Sequence, residues 1–325
     1  MSTEEKSPTL VRILEIQPEQ TGQRIDNFLL SHLKGVPKSR IYRCLRKGEV
    51  RVNKSRITSS YRLQQGDQVR IPPLRIPNPS TKKPIRQDLL SQIEASLLYE
   101  NDKLLVINKP AGIPVHSGSG IDYGIIEALR ILRPTAAFLE LVHRLDRETS
   151  GCLMIAKNRN ILLTLQAMQK NQLIHKHYLA FVKGHWQRNT QKVDLPLLKN
   201  VPQSGERTVK VSAAGKSASS YFRSKQFYSE ATLMAVTLET GRTHQIRVHA
   251  AYLGHPVGGD KKYGDPDFNK KLRSLGLHRL FLHAHQLAFT FPKEVKPIEI
   301  TAPLPTELET ILKIYPIQRS TKSKT

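Results

Sequence analysis

The stretch His143-Arg144-Leu145-Asp146-Arg147-Glu148-Thr149-Ser150-Gly151 separates two apolar runs, 138–142 and 152–156. Two apolar runs joined by a short charged segment are typical of two strands and a connecting turn. Such a turn presents one carboxylate, Asp146, at the edge of a sheet, and Arg144 and Arg147 are expected to favour its ionised form. A positioned carboxylate acts as a nucleophile or a general base. Taken alone, however, this run is best interpreted as a solvated surface turn.

The charge of the chain indicates a polyanionic partner. Of 325 residues, 51 are Lys or Arg and 27 are Asp or Glu, which gives a net charge of +24 at pH 7. Because each phosphate that a basic surface neutralises releases counterions, nucleic acid is the favoured partner. The sequence contains no long apolar run and no basic amphipathic helix with a bulky aromatic face, so no membrane partner is expected.

The ends and the cysteines of the chain predict its compartment. Residues 1–6 are polar and acidic, without the character of a signal peptide. The two cysteines, Cys44 and Cys152, are far apart, which argues against a disulfide framework and for a reducing cytoplasm. No Cys/His spacing predicts a metal site and no motif predicts a cofactor. We therefore expect a cytoplasmic monomer that needs neither a metal ion nor a cofactor.

Residues 21–75 form a compact and very basic module. They include 13 Lys or Arg and 3 Asp or Glu, a balance of 13 − 3 = +10. Helices are predicted over 24–33 and 39–47, with Ser39 as N-cap and Gly48 as the stop, and strands over 50–53 and 69–71. With so few acids to offset them, the basic residues are best interpreted as phosphate contacts. The candidate RNA-binding residues are Lys38, Arg40, Arg43, Lys47, Arg51 and Lys54.

The remaining segments define the predicted domain organisation. Residues 1–20 are expected to be a lead-in with a short strand near 10–16, and 76–92 a Pro-rich extended linker. Residues 93–316 are predicted to form an α+β domain whose mixed sheet is mostly antiparallel, since strands follow one another through short turns. A basic tail, 317–325, ends the chain.

Three further segments carry residue types that serve chemistry. Residues 176–184 place Tyr178 on a strand, although a buried tyrosine with a hydrogen-bonded hydroxyl is common. Residues 241–249 are predicted to open a helix with Thr243 near its N-cap, which would put Thr243, His244 and Arg247 on one face. Residues 279–285 form an apolar strand that includes Leu282. Each segment alone also has an ordinary structural interpretation.

Together these segments resemble the RluA/RluC/RluD branch of the RNA pseudouridine synthases. The family signature matches 143–151, with Glu148 where aspartate is common, and 108–112 is similar to the first family motif. Segments 176–184, 241–249 and 281–284 are similar to its tyrosine, arginine and closing motifs. The basic module resembles the alpha-L, or S-four type, RNA-binding domain. Within the branch, segments 22–29, 33–39, 197–200 and 204–207 most resemble the C-type enzymes of the large ribosomal subunit.

The resemblance implies site-specific isomerisation of several uridines of 23S rRNA, either free or in a large-subunit assembly intermediate. The glycosidic bond is cleaved, the uracil turns, and the base is rejoined through C5, with no cofactor. The implied catalytic residues are Asp146, Tyr178 and Arg247. Asp146 would act as a nucleophile at C1′ or as a base that promotes glycal formation, Tyr178 would stack on uracil and help deprotonate C5, and Arg247 would pair with Asp146.

The same resemblance implies three substrate-binding residues. Arg144 would fill the gap left when the uridine is flipped out of its stack, as chemistry on a base requires. Leu282 would form an apolar wall for the base, and Lys109 would contact RNA. Two alternatives remain open at this point: an RNA-binding ribosome-assembly factor in which Asp146 is structural, and a synthase that acts on another structured RNA.

Overall fold

The computed structural model describes residues 11–33, 35–74, 85–117, 123–187, 189–200 and 208–317. The chain divides into two compact units, Met1–Pro84 and Ile85–Thr325. The first ten residues of the predicted lead-in, the predicted linker up to residue 84 and the tail from 318 onward lie outside the described residues. The segment 204–207, which carries part of the family resemblance, also lies outside them.

The first unit is a small four-stranded sheet with two helices. Its strands pair antiparallel in the order β1-β4-β2-β3. The elements are α1 (Ile25–His32), α2 (Lys38–Lys47), β1 (Arg12–Glu15), β2 (Arg51–Val52), β3 (Ser55–Arg56) and β4 (Gln68–Ile71). Both helices and the two strands predicted for residues 21–75 are present. Because β1 pairs with β4, the folded module begins before residue 21, inside the segment that the sequence assigned to the lead-in.

Helix α2 is held to the first unit by one apolar face. Ile41, Cys44 and Leu45 are buried there, as their helical spacing predicts. The helix ends at Gly48, which adopts the left-handed conformation (φ 69°) that a residue without a side chain tolerates best. The predicted cap at Ser39 is wrong, since the helix begins one residue earlier and Pro37 occupies the N-cap.

The second unit contains six described helices and a large sheet. The helices are α3 (Gln87–Glu94), α4 (Ile125–Leu132), α5 (Arg159–Lys170), α6 (Gln245–Tyr252), α7 (Pro266–Ser274) and α8 (Thr306–Ile314). The strands are β5 (Leu97–Glu100), β6 (Leu104–Lys109), β7 (Glu140–Leu141), β8 (Ser150–Ala156), β9 (Ile174–Lys183), β10 (Thr190–Asp194), β11 (Leu197–Asn200), β12 (Thr208–Val211), β13 (Ser219–Phe227), β14 (Ala231–Leu238), β15 (Leu282–Phe289) and β16 (Ile298–Thr301).

Eight strands form the main path of the sheet in the order β10-β13-β14-β9-β15-β8-β6-β5. Strand β16 pairs with β15 and β7 with β8, which makes ten strands, and β11 and β12 form a separate pair. Only the β15–β8 pairing is parallel among the described strands. The predicted α+β fold with a mixed, mostly antiparallel sheet is therefore confirmed.

Both faces of the large sheet are buried over its centre. Along β9, Tyr178, Ala180 and Val182 belong to one apolar cluster, whereas Leu179 and Phe181 belong to another. Successive side chains of a strand point to opposite faces, so this alternation means that helices or loops cover each side. No helix in the described ranges is long and apolar enough to cross a membrane.

Helix α3 changes the predicted boundary of the linker. Residues 87–92, which the sequence assigned to extended chain, are helical. Leu90 and Ile93 lie one helical turn apart and are buried in the same cluster as the central strands. The prolines upstream dominate the composition of this segment and conceal the short amphipathic pattern that follows them.

Gly151 allows β8 and β15 to meet closely. It lies opposite Ala284 in the parallel pairing and has φ +110°, and a Cβ there would overlap the backbone of Ala284. Gly151 also ends the charged turn that follows His143. The close approach therefore fixes Asp146 relative to β15, which carries Leu282.

We expect Gly151→Ala to destabilise the second unit more than Gly276→Ala does. Gly276 also has positive φ (+95°) but has open space around its missing Cβ, so its substitution costs only about 1–2 kcal/mol of backbone strain. The overlap at Gly151 should add about 1–3 kcal/mol. Urea unfolding of the two variants measures the difference, and equal midpoints would contradict the role of the close approach.

Candidate active site

A cavity of about 590 Å³ lies beside the charged turn. It is lined by the turn itself, by β9, by the end of β14 and by the start of α6. Five of the six residues predicted for catalysis and substrate binding line it, namely Arg144, Asp146, Tyr178, Arg247 and Leu282. Segments that are up to 138 positions apart in sequence, Arg144 and Leu282, thus converge on one site.

Arg247 joins Asp146 to a second carboxylate. Its Nη1 donates to Oδ2 of Asp146 at 3.2 Å, while Nε and Nη2 donate to the two oxygens of Asp260 at 2.7 and 2.8 Å. Asp260 is fully buried, and the side chain of Asp146 is 23% exposed. The paired fork on Asp260 fixes the plane of the guanidinium, which leaves Nη1 directed at Asp146.

The buried ion pair determines the charges at the back of the site. Burial would raise the pKa of Asp260, but hydrogen bonds and charge from Arg247 outweigh it and lower the pKa. Burial likewise opposes the charge of Arg247, yet Asp260 and Asp146 together raise its pKa. Both groups are therefore ionised at neutral pH, and the guanidinium presents a fixed positive charge to Asp146.

The arginines next to Asp146 in sequence do not hold it. Arg147 Nε donates to the carbonyl of Gly112 at 2.8 Å, and Arg144 is exposed at the cavity. Within the described residues Arg247 is the ion-pair partner of Asp146, and Nε2 of His244 lies 3.9 Å from its Oδ2. Neither Arg144 nor Arg147 forms a hydrogen bond or ion pair with Asp146 among those residues, so Arg247 takes the part that was expected of the two neighbours.

Backbone contacts fix the turn that carries Asp146. The amide of Thr149 donates to the carbonyl of Asp146 at 3.1 Å, which closes the turn. The carbonyl of Arg147 accepts from the amide of Gly112 at 2.9 Å and from Nζ of Lys109 at 3.1 Å. These bonds tie the turn to the end of β6, so the carboxylate is positioned by backbone groups.

Arg279 holds the other end of the same turn. Its Nη2 lies 2.7 Å from Oγ of Ser150 and 3.3 Å from the carbonyl of Glu148. The Ser150 hydroxyl also lies 2.9 Å from Nδ1 of His283 on β15. The chain segment 279–285 therefore supports the site as well as lining it.

Lys109 is a structural residue. It is fully buried, and its ammonium donates to the carbonyls of Pro110, Ile113 and Arg147 at 2.7–3.1 Å. Three donors meet three acceptors, so the side chain has no hydrogen atom left for another partner. The expectation that Lys109 contacts RNA is wrong, because the lysine closes the loop under the Asp146 turn.

We expect Lys109→Met to lower the free energy of unfolding substantially. A buried carbonyl that loses its donor costs about 1–3 kcal/mol, and Lys109 serves three of them. Burial lowers the pKa of Lys109 to about 7, so the unfolded chain binds more protons between pH 7 and about 10.5. Stability from this group should then rise with pH across that interval. The difference in free energy of unfolding between wild type and Lys109→Met should therefore increase from pH 7 towards pH 10.

Urea unfolding at several pH values between 7 and 10 measures both effects. Lys261→Met, which changes an exposed lysine of the same unit, serves as the matched control. An equally small loss of stability in both variants would refute the structural role of Lys109.

Tyr178 and Leu282 form an apolar part of the cavity. Tyr178 is 6% exposed and Leu282 is 4% exposed, and they lie on the paired strands β9 and β15. Burial, followed by the negative charge of Asp146, raises the pKa of Tyr178. The phenol is therefore protonated in this state of the site, and its contribution to C5 deprotonation remains a prediction.

The start of α6 differs from the predicted one. The helix begins at Gln245, so Thr243 lies outside it and the predicted shared helical face of Thr243, His244 and Arg247 is wrong. His244 occupies the N-cap in the left-handed conformation (φ 54°), which is uncommon for a residue with a side chain. This conformation turns the His244 ring towards Asp146 and Tyr263.

Three supporting residues were missed or received no role in the sequence analysis: Asp260, His244 and Tyr263. The hydroxyl of Tyr263 lies 2.8 Å from Nδ1 of His244, and the Arg247 guanidinium lies 5.1 Å from the Tyr263 ring centre. Burial lowers the pKa of His244 despite the nearby Asp146. No local pattern identifies Asp260, since it stands 13 residues after Arg247 in a loop.

The first unit exposes most of the predicted phosphate-contacting residues. Arg40 is half-buried and lies 3.5 Å from Glu49. The other five are exposed: Lys38, Arg43, Lys47, Arg51 and Lys54. They occupy α2 and the strands and turn that follow it, so they form a continuous basic segment. Within the described residues, no group of His, Cys, Asp and Glu could hold a metal ion.

Comparisons with known proteins agree with this arrangement. A family model described as RNA pseudouridylate synthase matches residues 103–252, and one described as S4 domain matches residues 23–69. Ribosomal large subunit pseudouridine synthase C of Haemophilus ducreyi is 52% identical over 314 residues, which cover 96% of this chain and 98% of the relative. The chain belongs to the RNA pseudouridylate synthase family. The predicted family membership, the S-four type module and the similarity to C-type enzymes are confirmed.

Other relatives extend the same similarity. Ribosomal large subunit pseudouridine synthase C of Escherichia coli K12 is 50% identical over 316 residues, which cover 96% of this chain and 98% of the relative. The solved structure of human RNA Pseudouridylate Synthase Domain Containing 4 is 26% identical and covers 70% of this chain and 95% of that chain, with a TM-score of 0.58. As a member of the family, the chain is an isomerase that acts on RNA.

Proposed function

We propose that this protein isomerises several uridines of 23S ribosomal RNA to pseudouridine, with Asp146 as the reacting carboxylate. The observation that carries the proposal is the position of Asp146, which is partly exposed in a cavity and held by an arginine that is itself anchored to buried Asp260. The similarity to large-subunit synthases of type C along nearly the whole chain supports the substrate. We further propose that it acts as a monomer in the cytoplasm.

Arg247 orients Asp146 through a hydrogen bond from Nη1, and the reaction requires a carboxylate held in position. In one route the carboxylate attacks C1′ and displaces uracil, and in the other it removes a proton from the sugar to form a glycal. Each route begins with an unprotonated oxygen near the sugar. In both, Arg247 stabilises the carboxylate through a hydrogen bond from Nη1, while its Nε and Nη2 donate to Asp260.

The apolar wall is suited to a base that turns and reattaches. Tyr178 offers a ring face for stacking, and Leu282 offers a surface without hydrogen-bonding groups. A uracil held in this way can rotate without breaking hydrogen bonds to the wall. Arg144, exposed at the cavity, is placed to occupy the space that the flipped uridine leaves in the RNA stack.

An assembly factor without catalysis is the alternative that the site argues against. Binding RNA requires the basic module, but it does not require a partly exposed carboxylate beside an anchored arginine. Placing negative charge in an RNA-binding cavity weakens attraction to phosphate. The position of Asp146 therefore favours an enzyme over a protein that only binds RNA. An enzyme of this kind can also take part in ribosome assembly.

We expect Asp146→Asn to reduce pseudouridine formation by about three orders of magnitude or more, since an amide neither attacks nor removes a proton. RNA affinity should change little. Glu148→Gln changes a carboxylate two residues away that lies outside the cavity lining, and it should retain activity. Mapping of pseudouridines in 23S rRNA from cells that carry each variant measures the effect. Full modification by Asp146→Asn would refute the proposal.

We expect replacement of Lys38, Arg43 and Lys47 by Gln to weaken RNA binding and its dependence on salt. Each lost phosphate contact should reduce the slope of log affinity against log salt by about 0.7–0.9. The same substitution of three exposed lysines in the second unit, Lys261, Lys270 and Lys296, is the control with equal charge. An identical slope for both triple variants would show that the basic module is not the RNA clamp.

A further inference from the structure

Lys176 enters the cavity beside Tyr178. The two residues are separated by one position on β9, so their side chains share a face of the sheet, and both line the cavity. Gly241 lies close to the ammonium group, since a Cβ built at that glycine would be 3.9 Å from Nζ of Lys176. Lys176 therefore belongs to the substrate cavity, although the proposed mechanism gives it no task.

The ammonium of Lys176 opens to the cavity and has no protein partner there. The residue is 7% exposed, its Nζ is not one of the fully buried atoms that lack a partner, and no hydrogen bond or ion pair joins it to another described residue. Lys109 is also buried but donates to three carbonyl groups. A cation that faces a largely enclosed cavity without a protein partner is suited to an anionic ligand. Burial lowers the pKa of Lys176 to about 8, so it is mostly protonated at pH 7.

A second group in the same cavity also lacks a partner. Gln169 on α5 lines the cavity, and its Oε1 is buried without a hydrogen bond among the described residues. Gln166, one turn earlier on α5, lines the cavity too. A cation and an amide without partners in one cavity match a nucleotide, which offers a phosphate oxygen and polar edges of a base or sugar.

Lys176 lies apart from the reacting carboxylate. Among the described residues it forms no ion pair with Asp146, whereas Arg247 lies 3.2 Å from that carboxylate. The sugar of the target uridine reacts against Asp146, and its base lies against Tyr178. The RNA chain continues from that sugar through a phosphodiester on each side, so a more distant cation in the same cavity faces a backbone phosphate.

We propose that Lys176 binds a phosphodiester that adjoins the target uridine, and that Gln169 contacts the nucleotide beyond it. The inference rests on the proposed function, because it assumes that a uridine of RNA occupies the cavity. It identifies a binding residue that holds the backbone in register while the base is flipped out. This contact is made equally before and during the reaction, so it contributes to affinity and leaves the chemical step unchanged.

Short RNA substrates that carry a single neutral methylphosphonate linkage test the proposal. With wild type, neutralising one linkage next to the target uridine should weaken binding by about 10- to 100-fold, as expected for a hydrogen bond to a charged group. Lys176→Met should weaken binding of unmodified RNA by a similar factor and should be indifferent to that same linkage. Lys199→Met, which removes an exposed lysine of the same cavity, should retain the sensitivity at that linkage.

Kinetics and stability distinguish a phosphate contact from other roles of Lys176. We expect Lys176→Met to raise KM with kcat nearly unchanged, and to leave the unfolding midpoint equal or higher, because it removes a buried charge without partners. A fall in kcat at unchanged KM would overturn the proposal. It would mean that Lys176 stabilises charge that develops on uracil during the reaction. Loss of folding in Lys176→Met would also overturn it. So would a binding loss that Lys176→Met and each methylphosphonate add independently, because a shared contact can be lost only once.

The Lys176 contact and the proposed function can be refuted independently of each other. The binding measurements are repeated in the Asp146→Asn background, where almost no product is expected, so the Lys176 contact is also measured without catalysis. If wild type forms no pseudouridine, the proposed function is refuted whatever Lys176 binds. If wild type is active and no linkage depends on Lys176, only the phosphate contact is refuted.

Discussion

The site depends on one guanidinium that is shared between two carboxylates. Asp260 is fully buried and takes two donors of Arg247, which leaves a third donor for Asp146. The buried pair is costly to form and costly to break, so the orientation of Arg247 is effectively fixed. The fixed cation contacts the partly exposed carboxylate of Asp146 through one nitrogen only, so the carboxylate is oriented and still open to the cavity. The His244 ring, which lines the cavity, and the Tyr263 ring, which contacts both His244 and Arg247, pack around this arrangement.

The backbone of the Asp146 turn is equally constrained. Nζ of Lys109 donates a hydrogen bond to the carbonyl of Arg147. Gly151 lets the strand after the turn approach β15 more closely than a side chain would allow. The carboxylate is thus positioned by the sheet, by Lys109 and by the close approach at Gly151. A short charged turn can therefore hold the carboxylate of Asp146 in a single position.

The basic charge of the chain serves different purposes in different places. In the first unit, five of the six candidate phosphate contacts are exposed, which suits long-range attraction to RNA and contacts that salt weakens. In the second unit, buried Lys109 holds the backbone of the Asp146 turn, buried Arg247 holds the Asp146 carboxylate, and Lys176 lies largely buried at the cavity. A count of lysines and arginines therefore predicts the class of partner but says little about what any one of them binds.

The sequence by itself predicted the fold class and the two folded parts, because apolar alternation and turn residues are set by neighbours along the chain. The family motifs in it also predicted that Arg247 pairs with Asp146, and the two side chains are hydrogen-bonded. Only the tertiary structure decided what depends on packing: that Asp260 anchors Arg247, that Lys109 is buried, that α6 begins at Gln245, and that Lys176 lacks a partner. A lysine that is solvated, bonded to three carbonyls or left unpaired has the same local sequence signature. Its environment is supplied by segments far away in the chain.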